Sequence, residues 1–289
     1  MSKPAPPVPV HNEAESSTNF ISGSVAGIME NCFFYPLDTV KTRMQILSSK
    51  SRDVYSSIPR SLYHLVREGG IRAPYRGVGI MLIGCGPAHG SYFWTYEFLK
   101  THALKQSEGQ FVYGICGSIA TLVHDSIMVP CDTIKQRRQM QNSRYHPNWH
   151  CIASMLREEG VRAFYRSYTT QMTMNVPYQA IQFTVYELCC ATFVKPDYQD
   201  YSLLSHMGSG ALAGGVAGFV TTPLDVCKTL LNTQHHKDRV IGLRNSIKTV
   251  YRLGGAKGFF QGATARTTYM MASAAICWGT YESMKYLLK

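Results

Sequence analysis

The sequence predicts an all-α membrane protein: six transmembrane helices in a threefold pseudo-symmetric barrel, with three short amphipathic helices on one side. Two observations carry this. The motif Pro-x-Asp-x-x-Lys occurs three times, as Pro36-Leu37-Asp38-Thr39-Val40-Lys41, Pro130-Cys131-Asp132-Thr133-Ile134-Lys135 and Pro223-Leu224-Asp225-Val226-Cys227-Lys228, at separations of 94 and 93 residues (130 − 36 and 223 − 130). The segments before these prolines are apolar and rich in small residues, as in Gly23-Ser24-Val25-Ala26-Gly27 and Gly210-Ala211-Leu212-Ala213-Gly214. A fixed period of this kind marks tandem structural units. Small residues at helical spacing let helices approach closely in lipid.

Taken in order, residues 1–17 are Pro-rich, carry Glu13 and Glu15, and read as a disordered tail. They lack the apolar core of a signal peptide and the Arg-rich amphipathic character of a transit peptide, so no cleavable presequence is expected. Three repeats follow, over 18–104, 109–196 and 203–289. Long helices are expected near 18–47, 78–104, 109–141, 169–194, 203–233 and 264–288, and short ones near 58–68, 149–159 and 245–253. Two further motifs recur with the first. One is Glu68-Gly69 to Tyr75-Arg76-Gly77, then Glu159-Gly160 to Tyr165-Arg166-Ser167, then Gly254-Gly255 to Phe260-Gln261-Gly262, with Leu253 in place of the glutamate. The other is Tyr96-Glu97-Phe98-Leu99-Lys100, Tyr186-Glu187-Leu188-Cys189-Cys190 and Tyr281-Glu282-Ser283-Met284-Lys285.

The chain has 289 residues, of which 45% are hydrophobic, and its mean hydropathy is slightly negative. No stretch of about 20 residues is free of Gly, Pro and charge, the usual mark of a spanning helix. Helices that line a polar cavity escape that mark, because only their outer faces meet lipid. The formal charge of +11 admits nucleic acid or an anionic membrane as partners. The basic residues recur with the repeats instead of forming one patch, and nucleic-acid recognition motifs are missing, so no nucleic-acid partner is expected. Nine cysteines without CxxC pairs read as free thiols packed as small hydrophobes. No nucleophile–base constellation or phosphate loop points to an enzyme.

Each Asp and Lys of the first motif lies one helical turn apart. Proline bends the helix and swings its end inward, so three such ends can meet around a pseudo-axis. Asp38, Asp132 and Asp225 are then expected to pair with Lys41, Lys135 and Lys228 on neighbouring helices, since charges at membrane depth must find partners. Glu97, Glu187 and Glu282, with Lys100 and Lys285, close the opposite mouth in this reading. Two such gates around one midplane site give alternating access.

That site falls about three turns from the Tyr-Glu motifs. Counting back 13 residues from each Glu gives Gly84, Met174 and Tyr269; counting back 12 gives Cys85, Asn175 and Met270; counting back 8 gives His89, Gln179 and Ala274. Segments 78–96, 168–186 and 267–281 hold no Lys or Arg, the fixed cations that a carrier of phosphates or carboxylates wants. They offer metal ligands instead. Cys85 and His89 stand four apart on one helix face, a spacing able to share a metal ion. Met174 and Asn175 face them, with Met172 behind and Met270 on the sixth helix. His124 beside Asp125, and Glu30 beside Asn31, occupy matching places on the odd helices and attract a cation. Imidazole, thioether and amide suit a borderline transition metal held loosely.

The three motifs together are similar to those of the mitochondrial carrier family, from about residue 18 to 289. The resemblance implies the six-helix barrel, the mitochondrial inner membrane, short helices on the matrix side, a matrix network at the Pro-x-Asp ends and a cytoplasmic one at the Tyr-Glu motifs. It implies glutamine braces nine residues after each motif proline; those positions hold Gln45, Gln139 and Asn232, the third departing from the pattern. It also implies cardiolipin near the short helices, in the Gly69-Gly70 and Gly160 regions, and a functional monomer without a tightly bound cofactor. Four segments resemble the iron-importing members: Gly86-Pro87-Ala88-His89, the run from Ser167 to Pro177, Leu122-Val123-His124-Asp125, and the run from Thr221 to Gln234. Asn31 and Ala272 depart from them. The expected activity is import of ferrous iron for haem and iron–sulfur synthesis. Another divalent metal, a small organic cation such as S-adenosylmethionine, and a non-transporting membrane adaptor stand as alternatives.

Overall fold

The computed structural model describes residues 33–46, 57–103, 110–140, 148–193, 202–234, 240 and 242–287. The described residues form helices and turns, with no strand among them. The N-terminal tail and the first half of the expected first long helix, including Glu30 and Asn31, lie outside them.

Repeat one comprises α1 (Tyr35–Gln45), the short α2 (Ile58–Gly69) and α3 (Val78–Ala103). Repeat two comprises α4 (Gln110–Gln139), the short α5 (Asn148–Glu159) and α6 (Tyr168–Phe193). Repeat three comprises α7 (Ser202–Val220), α8 (Thr222–Thr233), α9 (Leu243–Gly258) and α10 (Ala263–Leu287). The bounds of α2 to α6 and of α10 lie within two residues of those read from the sequence, whereas the expected fifth long helix over 203–233 is split into α7 and α8 and α9 runs five residues past the expected end.

The motif prolines do not act alike. In repeat three the helix breaks at Thr221, and α7 and α8 meet at 65°. Pro223 has no amide to give the Phe219 carbonyl, which weakens the ladder at that point. In repeat one, helical geometry is interrupted at Phe34, just before Pro36. In repeat two, α4 runs through Pro130 unbroken. No single described helix is long and apolar enough to cross a membrane by itself; the bent pair of Met207–Val220 with Thr222–Thr233 is.

Each short helix buries a pair of residues one turn apart, with the others mostly exposed or half-buried. The pairs are Ser61 and Leu65 on α2, Cys151 and Met155 on α5, and Ser246 and Val250 on α9. Three small apolar clusters result, one per repeat: Val40, Met44, Leu65 and Ala265; Ile80, Ile134, Cys151, Met155, Ala163 and Phe164; and Val226, Cys227 and Val250. These clusters tie each short helix to the end of the helix bearing the Pro-x-Asp motif. The chain leaves α2 through Gly70 and α5 through Gly160, both at φ 74°, where an L side chain would be strained.

Glycines also set how close the long helices come. A Cβ on Gly84 of α3 would lie 2.4 Å from the Cys131 sulfur of α4, and one on Gly215 of α7 would lie 2.6 Å from Met271 of α10.

Candidate functional site

The site has two levels. At the lower one, the Pro-x-Asp ends of α1, α4 and α8 converge. Lys135 Nζ stands 2.9 Å from Asp38, Lys228 Nζ 2.6 Å from Asp132, and Lys41 Nζ 2.9 Å from Asp225. Each repeat thus gives its Asp to the next repeat's Lys, and the ring closes on itself. The packing is tight: Asp225 is 3% exposed and Lys228 6%. Buried charges of this kind persist only when paired and hydrogen-bonded.

Amides reinforce two of the three pairs. Gln45 donates to Asp225 at 2.7 Å and accepts from Thr229 at 2.8 Å. Gln139 donates to Asp38 at 3.2 Å and to Thr39 at 3.1 Å. The shorter Asn232 instead accepts from Thr133 at 3.2 Å, and its own Nδ2 is left without a partner. Asp132 is correspondingly open, its side chain 22% exposed against 4% for Asp225.

Beneath the ring, arginines two residues beyond Lys41 and Lys135 link neighbouring repeats. Arg43 donates to the Gln139 carbonyl, and Arg137 to the Asn232 carbonyl at 3.0 Å. Arg137 and Arg166 both grip Glu159. Burial pushes the Glu159 carboxyl up, but the two guanidiniums override it and hold it below the usual range. Burial pushes the neighbouring Cys151 thiol up to about 11, so it stays an inert packing group. Repeat three has Leu230 and Leu253 where the others have Arg and Glu.

The upper level joins α3, α4, α6 and α10. His89 Nδ1 lies 2.9 Å from the Cys85 carbonyl and 3.4 Å from the Cys85 sulfur. A carbonyl only accepts, so this bond places the proton on Nδ1 and leaves Nε2 with a lone pair for a metal. The His89 and His124 rings meet edge to face, centroids 5.2 Å apart. His124 Nδ1 is 3.0 Å from Asp125, and Asp125 accepts from Asn175 Nδ2 at 2.6 Å. Gln171 donates to Asn175 Oδ1 at 3.0 Å. The Asn175 amide is therefore engaged at both ends, and its oxygen already accepts one bond.

Met174 is buried, its sulfur 3.5 Å from Arg266 Nη2. The Met270 sulfur accepts from the Tyr178 hydroxyl at 3.5 Å. Met172 sits two residues from Met174, about 200° around the helix, and so faces elsewhere. Gly84 serves the approach of α3 to α4. Glu187 is exposed. The side chains of Glu97, Lys100, Glu282 and Lys285 lie outside the described part of the molecule.

Two groups stand out: Asp125, already read from the sequence as a cation-attracting neighbour of His124, and Arg266, which lies beyond the window of 267–281. Asp125 is a carboxylate 7% exposed at the level of the histidines. Arg266 is 1% exposed, one residue outside that window, and reaches Asp225, Thr221 and Met174. Positions 16 before each Tyr-Glu glutamate (97 − 16, 187 − 16, 282 − 16) hold Met81, Gln171 and Arg266, so a repeat-aligned reading would have exposed it. Among the described residues, no three of His, Cys, Asp and Glu gather as a metal-holding group. The imidazole, thiol, thioether and carboxylate groups of the upper level are dispersed among the described residues.

Comparison with known proteins agrees with the repeats. The family model described as mitochondrial carrier protein matches residues 12–107, 108–197 and 199–289. The chain is 46% identical over 287 residues to Mitoferrin-1 of Homo sapiens, covering 95% of this chain and 84% of that one. It is 44% identical over 293 residues to Mitoferrin-1 of Danio rerio, covering 97% and 87%. It is 44% identical over 286 residues to Mitoferrin-2 of Homo sapiens, covering 95% and 78%. Threefold motifs, an all-helical fold and three successive family matches place it: the chain belongs to the mitochondrial carrier family, whose members are transporters and not enzymes.

Proposed function

We propose that the chain carries ferrous iron across the mitochondrial inner membrane into the matrix by alternating access, feeding haem and iron–sulfur synthesis. The observation that carries the reading is the ligand set stacked above a closed ion-pair ring. His89 offers Nε2, Cys85 lies beside it, His124 and Asp125 face it from α4, and Met174 supplies a thioether from α6. The similarity to mitoferrins points the same way. Asp125, with one oxygen bonded to His124 and the other to Asn175, orients these two groups around the ion from the outer sphere.

In this mechanism the ring of Asp38–Lys135, Asp132–Lys228 and Asp225–Lys41 is the matrix gate, braced by Gln45 and Gln139. Glu97, Lys100, Glu187, Glu282 and Lys285 form the cytoplasmic gate. The metal enters from the cytoplasmic side, is held by His89, Cys85 and Met174 with His124 and Asn175 around them, and is released when the ring parts. Met270 shapes the wall, Gly84 sets the approach of α3 to α4, and Met172, on the far side of α6 from Met174, takes no part. Cardiolipin seats near Gly69-Gly70 and Gly160, and the carrier works as a monomer.

The test is uptake of Fe(II), Mn(II), Cu(I), Zn(II) and S-adenosylmethionine into liposomes holding the purified carrier. Fe(II) uptake is expected, falling about tenfold or more in His89→Ala and Met174→Ala, as for removal of a ligand or its support. Iron uptake indifferent to both changes sinks the site. Robust S-adenosylmethionine uptake without metal uptake sinks the metal reading.

A further inference from the structure

Arg266 is the one described side chain that touches both levels of the site. Its Nη2 donates to Thr221 Oγ1 at 2.8 Å and lies 3.5 Å from the Met174 sulfur. Its Nη1 sits at ion-pair distance from Asp225 but out of hydrogen-bond alignment, and its Nε has no partner. The guanidinium is therefore held by a close ion pair with Asp225, one well-formed hydrogen bond to Thr221 and one weak sulfur acceptor.

The position of those three groups matters. Thr221 is the break between α7 and α8, and Asp225 lies one turn beyond it. From α10, Arg266 thus clasps the bend on both sides of Pro223. Parting of the ion-pair ring must move the end of α8, and with it Asp225 away from Arg266. Met174, on α6, is a proposed metal ligand. A thioether binds a soft or borderline cation far better than it accepts from N–H. A divalent ion on Met174 takes that acceptor away and sets a like charge a few ångströms from the buried guanidinium, where screening is weak.

We propose that Arg266 is a positioning residue that couples metal occupancy at Met174 to the parting of the matrix-side ring, by clasping the bend of the fifth transmembrane helix. The inference rests on the metal-carrier reading above. Arg266 holds α8 closed while the site is empty and lets go when the ion arrives. Threefold symmetry does not require this device. The equivalent positions carry Met81 and Gln171, so the seam around Asp225 alone senses the ion directly.

Peptide-resolved hydrogen exchange on the purified full-length carrier tests it, with and without anaerobic Fe(II), beside Fe(II) binding by equilibrium dialysis. In the native protein Fe(II) is expected to speed exchange in segments 130–140 and 222–234 about fivefold or more, the low end of ordinary coupling. In Arg266→Gln both segments exchange fast without metal, Fe(II) adds nothing, and Fe(II) binds about fivefold or more tighter than in the native protein, the reciprocal of the lost coupling. Arg266→Lys, which keeps the charge but cannot span three groups, falls between. Thr221→Val removes the acceptor at the bend together with the hydroxyl's own bond to the Ala217 carbonyl; it is expected to loosen 222–234 while keeping the metal response, and it carries the test if Arg266→Gln does not fold. Native Fe(II) binding with an unchanged metal response in Arg266→Gln overturns the coupling and leaves the carrier reading intact. A native protein that binds no Fe(II) overturns the carrier reading and the coupling with it.

Discussion

Asp225 shows how much a single buried charge asks of its surroundings. It is met by Lys41, by the Arg266 guanidinium and by the Gln45 amide, while Gln45 is itself fixed by Thr229. A hydrogen bond to a charged group contributes about 1.5–3 kcal/mol, more than one between neutral groups. Gln45→Leu keeps the volume and removes the amide. It is expected to destabilise the closed carrier by about that amount and to lower its melting temperature in detergent. A melting curve superimposable on the native one sets aside the brace. At this scale the sequence was a partial guide. Asp38, Asp132, Asp225 and their lysines were legible because they recur; one instance in a chain means little and three at fixed spacing mean a great deal. Arg266 does not recur, and shows only as the one charge among the aligned positions Met81, Gln171 and Arg266. The engagement of Asn175 was not legible, since which amide end meets Gln171 and which meets Asp125 depends on helix rotation that periodicity does not resolve.

Among the elements, helix existence followed from apolar, glycine-rich stretches, and most described bounds lie close to the expected ones, the split of the fifth long helix at Thr221 and the longer α9 apart. What the Pro-x-Asp motif did to each helix did not follow. The same proline breaks the helix at Thr221, interrupts it at Phe34 and leaves α4 continuous at Pro130. A proline removes one ladder bond in every case, and the tertiary packing decides how far the chain bends. Close approach is better determined. Gly84 abuts Cys131 so tightly that a methyl group there would overlap the sulfur at 2.4 Å, with the Cys131 Cβ next at 3.2 Å. Gly84→Ala is expected to cost about 1–3 kcal/mol by overpacking. Cys131→Ala removes the nearer atom, so the double variant should recover most of that loss, since contacting residues do not behave additively. Thermal denaturation of the two single variants and the double checks this. Additive losses sink the view that α3 and α4 are spaced by this contact.

Across the whole molecule, the repeats build three seams of unequal strength. The seam at Asp225 has a lysine, an arginine and a glutamine; that at Asp38 has a lysine and a glutamine. The seam at Asp132 has Lys228 and no amide brace, because Asn232 is one methylene short and bonds Thr133 instead. Its carboxylate is also the most exposed of the three. A carrier must open as well as close, and a ring of equal strong pairs would resist opening at every seam. Leaving one seam unbraced gives the ring a place to part, so the ring is expected to open first between repeats two and three. Asn232→Gln supplies the missing methylene and lets the amide reach Asp132. If the seam is weak for want of that brace, the variant melts higher and transports more slowly, by about fivefold for one added bond of roughly 1 kcal/mol to the closed state. Its apparent affinity for Fe(II) stays unchanged, since Asn232 lies in the ring and away from the upper-level ligands. Uptake kinetics and melting curves measured on the same preparation decide the matter. A lower melting temperature means that the fully buried site has no room for the longer side chain; an unchanged transport rate with a raised melting temperature means that the Asp132 seam is not the one that limits opening.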